Sequence, residues 1–299
     1  MIKKWMFLLL AALLTMGLAA CGSDKTTKDD EGGKKEASVG DSVDYKIIGI
    51  DPGAGLMKAT AKAIDEYGLD DWKLVEGSSA AMTASLKKAY NKKEPIIVTG
   101  WTPHWMFAQF DLKYLEDPKG VFGEDENIHT IARNGLKEDL PDAYTVLDQF
   151  NWNPDDMGVV MNSIVNGEDP EEAAAKWVKD NADKVSEWTN GAGKVDGDKI
   201  TLGYVAWDSE IASTNVIGKV LTDLGYKVTL LQVEAGPMWT GIADGSLDAH
   251  VAGWLPSTHE DYYKKYKGKF EDLGENLKGT KLGLVVPAYM DIDSIEDLK

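Results

Sequence analysis

The stretch Val98-Thr99-Gly100-Trp101-Thr102-Pro103-His104-Trp105 decides the architecture, because its core returns later as Val251-Ala252-Gly253-Trp254-Leu255-Pro256. In both copies an apolar, β-rich run (Pro95 to Val98; Ala249 to Val251) leads into Gly-Trp-x-Pro. Gly and Pro stop a strand and turn the chain. Each Trp is therefore predicted just past a strand's C-terminal end, the edge where open α/β sheets bind ligands. Two such edges predict two lobes facing one another across a cleft. A third tryptophan, Trp207, closes the strand-like run Tyr204-Val205-Ala206. A Trp at a strand end is ordinarily core or rim packing; the repetition is what raises a binding role.

Working outward, Tyr45 to Ile50 reads as a strand, Leu56 to Tyr67 as a helix and Trp72 to Val75 as a strand. A helix over Ser78–Asn91 follows, with Lys87, Lys88, Lys92 and Lys93 near its C-terminus, where the dipole favours cations. This β-α-β-α-β order predicts a parallel sheet with helices on its faces. From His129 to Asn190 the pattern is mostly helical. Asn153-Pro154 and Asp169-Pro170 each place a capping side chain before a proline at the first helical position. Trp152, Trp177 and Trp188 are read there as core. The first order of elements then repeats: strand Lys199–Val205, helix from Trp207-Asp208-Ser209 to Leu224, strand Lys227–Val233, short helix Pro237–Asp244, strand Asp248–Val251. Trp101 and Trp254 are separated by the same interval as Lys46 and Lys199, so the halves repeat in architecture. Lys281 to Tyr289 is one more strand, and Ile292 to Lys299 opens a helix that is expected to dock elsewhere on the fold.

Composition excludes some functions. A net charge of −18 over 299 residues argues against nucleic acid, which needs a basic face. The N-terminus reads as a signal peptide over residues 1–20, with Lys3 and Lys4, an apolar run from Trp5, and small residues before the lone cysteine, Cys21. Leu18-Ala19-Ala20-Cys21 resembles a bacterial lipobox, in which the cysteine is lipidated. Residues 21–43 then read as the lipidated Cys and a disordered polar tether, holding the folded body at the outer face of the cytoplasmic membrane.

Catalysis finds little support. The four histidines lack metal-motif spacing, and no nucleophile elbow or P-loop is present. No metal or cofactor is expected. Asp208 and Glu210 could pair as glycosidase carboxylates, but acids at a helix start ordinarily complement the dipole. The only arginine, Arg133, lies outside every cleft turn, which weakens a reading as an amino-acid carboxylate clamp. Three Trp faces suit a cation without hydrogen-bond donors, each ring worth about 0.5–2 kcal/mol. Three supply up to roughly 6 kcal/mol, whereas a micromolar complex needs about 8. A second anchor is therefore expected. Gly53-Ala54-Gly55-Leu56 opens a helix whose free N–H groups hold an anion, and His259, close behind Trp254, can donate to the same anion. Together they predict a small zwitterion; a sugar or a polar amino acid is the rival ligand.

Five segments carry a family resemblance: Gly49–Met57, Ile97–Phe107, Ala206–Val216, Glu234–Trp239 and Gly253–His259. With the lipobox, they closely resemble the glycine betaine-binding lipoproteins of osmoprotectant ABC importers, along essentially the whole chain. The resemblance implies a two-lobed fold of the type II periplasmic-binding-protein kind that closes on glycine betaine and delivers it to a membrane permease. It implies a monomer and no enzymatic activity, with choline, carnitine or another small solute as the alternative ligand. It assigns Trp101, Trp207 and Trp254 to the cage, and Gly55, Leu56 and His259 to the carboxylate. Many relatives begin with the part that matches Lys199 onward, so the chain resembles a circular permutation of them. The lobes would be residues 44–128 plus 286–299, and 129–285, with crossings near His129 and Val286.

Overall fold

The computed structural model describes residues 38–299; the signal peptide, Cys21 and most of the expected tether lie outside the described residues. The tether is expected to reach 43, but Val39–Ser42 forms a helical turn capped at both backbone and side chain by Ser38 and Asp41. Its Gly40 packs against the Tyr45 ring, so the fold begins earlier than the polar composition suggests.

One nine-stranded sheet organises the described residues. Its strands are β1 Lys46–Ile48, β2 Lys73–Val75, β3 Val98–Thr102, β4 Leu112–Tyr114, β5 Glu126–Arg133, β6 Lys199–Tyr204, β7 Lys227–Gln232, β8 Ala249–Leu255 and β9 Phe270–Pro287. Their order is β2-β1-β3-β9-β5-β8-β6-β7, with β4 pairing β9. The repeat is visible here: β1 pairs in parallel with β2 and β3 in one half, and β6 with β7 and β8 in the other. Helices Gly55–Tyr67 and Ser79–Lys92 connect the first set, and Asp208–Leu224 and Ala235–Asp244 the second.

The sheet as a whole is mixed. β5 is antiparallel to β8 and β9, and β9 is antiparallel to β3 and β4. β5 falls where a helical pattern was expected around His129: its run Glu126-Asn-Ile-His-Thr-Ile-Ala-Arg133 mixes polar and apolar residues, and pairing with β8 and β9, both distant along the chain, makes it a strand. β9 spans both halves: residues up to Thr280 pair with β5, and from Lys281 onward with β3 and β4.

Two further local expectations shift. Trp101 and Trp254 sit inside β3 and β8, not past them, because cross-strand pairing continues through the glycines (Gly100 with Gly283, Trp101 with Leu282, Trp254 with Ile128). The proline, lacking an N–H, is what ends each strand; both Thr102-Pro103 and Leu255-Pro256 are cis. The C-terminal segment forms a 3-10 turn, Ile295–Leu298, and does dock: Ile295 and Leu298 are buried, and the Trp72 indole donates to the Leu298 carbonyl at 3.0 Å. Trp152, Trp177 and Trp188 are core, the last two stacked at 5.7 Å.

Candidate ligand-binding site

The sheet brings the three repeated tryptophans together. Trp101 near the end of β3, Trp254 near the end of β8 and Trp207 at the N-cap of the Asp208–Leu224 helix line one small cavity. Ile50, Ala54, Leu56, Thr258 and Leu282 complete its wall. All three indoles are buried to within a few per cent, so an occupant would be largely desolvated, where cation–π attraction is strongest.

Two segments beside the cavity carry N–H donors, although neither Gly55 nor His259 is among the residues that line it. Asp51-Pro52-Gly53-Ala54 turns the chain from β1 into the Gly55–Tyr67 helix, whose N-cap Ala54 offers no side-chain hydrogen bond. The N–H groups of Ala54, Met57 and Lys58 bond within the turn. Those of Gly55 and Leu56 find no acceptor among the described residues, leaving two donors at the positive end of a helix dipole. Gly55 is required sterically as well: a Cβ there would lie 2.1 Å from the Thr258 carbonyl oxygen of the opposite half.

His259 is the second segment's contribution. It is fully buried, and its Nδ1 accepts from the Trp254 N–H at 3.1 Å. That bond fixes the tautomer, so Nε2 carries the proton, and Nε2 is without a partner among the described residues. The imidazole stacks on Trp207 (5.9 Å, 20°) and meets Trp239 and Tyr262 edge-on. Burial pushes it well below the ordinary histidine range, with His250 and Lys58 acting in the same direction, which keeps it a neutral donor. The loop carrying it is held by buried Glu126, whose carboxylate accepts from the Ser257 and Thr258 N–H groups and the Thr258 hydroxyl, each at 2.5 Å.

Of the site residues expected from sequence, Trp101, Trp207, Trp254 and Leu56 line the cavity, whereas Gly55 and His259 lie outside its lining, the first against Thr258 and the second stacked on Trp207. Sequence reasoning missed the residues that hold the halves together. Asp51 accepts from the Trp207 indole at 2.7 Å. Next to Trp207, Asp208 accepts from the Trp105 indole and the Ser79 hydroxyl, both at 2.9 Å, with His104 Nε2 3.4 Å away. Burial works to raise the Asp208 carboxyl, but the contacts from His104, Ser79 and Trp105 outweigh it and hold it below the usual range. Lys58 pairs with Asp261 at 2.7 Å and the Tyr262 hydroxyl donates to the Gly53 carbonyl, again from one half to the other. Asp208 and Glu210 take different partners: Asp208 bridges the halves, while Glu210 turns inward and accepts from the Val205 N–H at 2.6 Å. Among the described residues there is no group of three or more His, Cys, Asp or Glu able to hold a metal, and no helix long and apolar enough to cross a membrane.

An aromatic cavity between two halves of one sheet, backed by unpaired donors, is the site of a solute-binding protein. Residues 26–180 and 198–299 match the family described as the substrate binding domain of ABC-type glycine betaine transport systems, and the chain belongs to that family. The chain is 57% identical over 302 aligned residues to the glycine betaine/carnitine transport binding protein GbuC of Listeria monocytogenes, covering 100% of this chain and 99% of the relative. Among solved structures it is similar to lactococcal OpuAC in its closed-liganded conformation complexed with glycine betaine, at 50% identity and a TM-score of 0.48 over 52% of this chain and 63% of that one. The glycine/betaine/L-proline-binding protein ProX of Borrelia burgdorferi is 36% identical, with a TM-score of 0.47, over 52% and 62%. The aligned parts span less than two thirds of each solved chain.

Proposed function

We propose that this chain is the solute-binding protein of an ABC importer that captures glycine betaine, and related betaines, for delivery to a membrane permease. The observation that carries the reading is a cavity lined by three indole faces, suited to a donor-free cation, with the unpaired His259 Nε2–H and the Gly55 and Leu56 amides close beside it for a carboxylate. A zwitterion with the two charges a short distance apart satisfies both. Choline would leave the carboxylate donors unmatched, a loss of about 1.5–3 kcal/mol for each charge-assisted bond. The name of the Listeria relative makes carnitine the related betaine to test beside glycine betaine.

The two halves close on the ligand as lobes, held by the Trp207–Asp51 and Trp105–Asp208 bonds, and Cys21 carries the lipid that keeps the protein beside its permease. Family membership supports a location outside the cytoplasmic membrane. Calorimetric titration of the full chain with glycine betaine, carnitine, choline and proline tests the assignment. Glycine betaine should bind most tightly, and Trp101→Ala should weaken it far more than Trp101→Phe, which keeps a π-face. Equal binding of choline and glycine betaine would refute the carboxylate anchor, and unchanged binding in Trp101→Ala the cage.

A further inference from the structure

Behind His259 and Trp207 lies a buried acid and imidazole that the cavity does not use. Glu210 and His250 both have side chains with no exposure, and Glu210 Oε1 faces His250 Nε2 at 3.9 Å. Each of these two atoms lacks a hydrogen-bond partner among the described residues. The other ends are fixed. Glu210 Oε2 accepts from the Val205 N–H, and His250 Nδ1 lies 2.9 Å from the Gly203 carbonyl. A carbonyl oxygen only accepts, so Nδ1 must carry a proton and a neutral His250 presents a bare lone pair at Nε2. A bare lone pair facing an ionised carboxylate oxygen would be repulsive. One proton between them converts the contact into an O–H···N hydrogen bond after an approach of about 1 Å.

The proton has two possible homes. On His250 it would make an imidazolium and a carboxylate, both ionic in a site without water access, beside the second buried histidine: the His250 and His259 ring centroids are 6.2 Å apart. On Glu210 it leaves both groups neutral. Asp51, on the turn before the Gly55–Tyr67 helix, is the other acid facing Glu210; Lys58 and His250 face His259. A carboxylate at Glu210 would add a second anion beside Asp51, on the far side of His250 from His259.

We propose that Glu210 sets the charge preference of the site: it carries the proton it shares with His250, keeps the space behind His259 free of negative charge, and so admits a net-neutral zwitterion in preference to a net cation. The proposal rests on the betaine reading of the cavity and adds to it a residue that acts through its neighbours without touching the ligand. Burial and the neighbouring Asp51 both raise the Glu210 carboxyl well above the usual range, with the Val205 N–H opposing them, and burial brings His250 down to about 4.

The test combines spectroscopy with titration. Infrared spectra of the wild-type protein at neutral pH should contain a protonated-carboxyl C=O band that Glu210→Gln lacks, and nitrogen NMR of labelled histidines should find His250 as the neutral Nδ1–H tautomer. Glu210→Gln, the neutral isostere, should keep the glycine betaine to choline affinity ratio within about threefold of wild type. If Glu210 were ionised in the native protein, removing its charge, which reaches the ligand only through His250 and His259 in a buried region, would raise that ratio by several-fold to about tenfold. That rise, an imidazolium signal at His250 or absence of the carboxyl band overturns the proposal. So does a wild-type ratio that stays flat through alkaline pH while the carboxyl band disappears. The wild-type spectra decide the proton's location even where the variant folds poorly. Failure of glycine betaine to bind the wild type would count against the betaine reading instead.

Discussion

Replacing His259 separates the two halves of the recognition argument. The imidazole contributes one neutral N–H donor at a fully buried position, its other nitrogen being engaged by Trp254. A hydrogen bond to a charged group is worth about 1.5–3 kcal/mol, so His259→Ala should weaken glycine betaine by about ten- to 150-fold. The variant also removes the ring stacked on Trp207 and leaves the Trp254 N–H unpaired. Those losses disturb the cage for any quaternary ammonium, so the informative quantity is the ratio of glycine betaine to choline affinity, measured by calorimetry in one buffer at one ionic strength. Choline offers a hydroxyl where betaine has its carboxylate; the ratio should fall by about tenfold or more. His259→Phe supplies the control, because it restores a ring against Trp207 without restoring the donor. If both variants weaken the two ligands equally and leave the ratio intact, the carboxylate is not held by His259, and the cavity is a general quaternary-ammonium cage.

Asp208→Ala removes the acceptor for Trp105 and Ser79 without altering the cavity wall; both ligands should weaken together by about tenfold, and solution scattering should find less compaction on adding ligand. Stability should fall on acidification, since His250 is depressed from 6.5 to about 4 and its contribution, full above the unfolded value, is lost as pH drops through that window, by about 3 kcal/mol at most. Glu210 works the other way, its raised value favouring the folded state at low pH; the melting temperature of Glu210→Gln should therefore drop more steeply between neutral and mildly acidic pH than that of wild type. Cys21→Ala should abolish lipid labelling and leave ligand affinity unchanged; a normally labelled variant would refute the lipobox reading.

What could be read from the sequence was whatever physics writes locally. Gly-Trp-x-Pro is legible because proline ends strand pairing regardless of context, and its recurrence at Trp101 and Trp254 carries the two-half architecture with it. The Gly55 helix start and His259 were legible because their position beside those turns could be counted along the chain. The strands β5 and β9 were misread or cut short because they carry little local strand signal: β5 mixes polar and apolar residues, Phe270 to Thr280 of β9 is largely polar, and both are made strands by partners distant along the chain. Asp51, Trp105, Glu126 and Asp208 were invisible for a different reason: each matters through a partner far away in sequence, and nothing local distinguishes Asp208 at a helix start from an acid that merely complements a dipole. Trp207 joins the two kinds of information. Its cage face follows from the run that precedes it, whereas its indole N–H bonds Asp51 across the cavity. On the proposed reading, one side chain would both receive the ligand's cation and tie the halves together, which would couple occupancy of the cage to closure of the protein through the same ring.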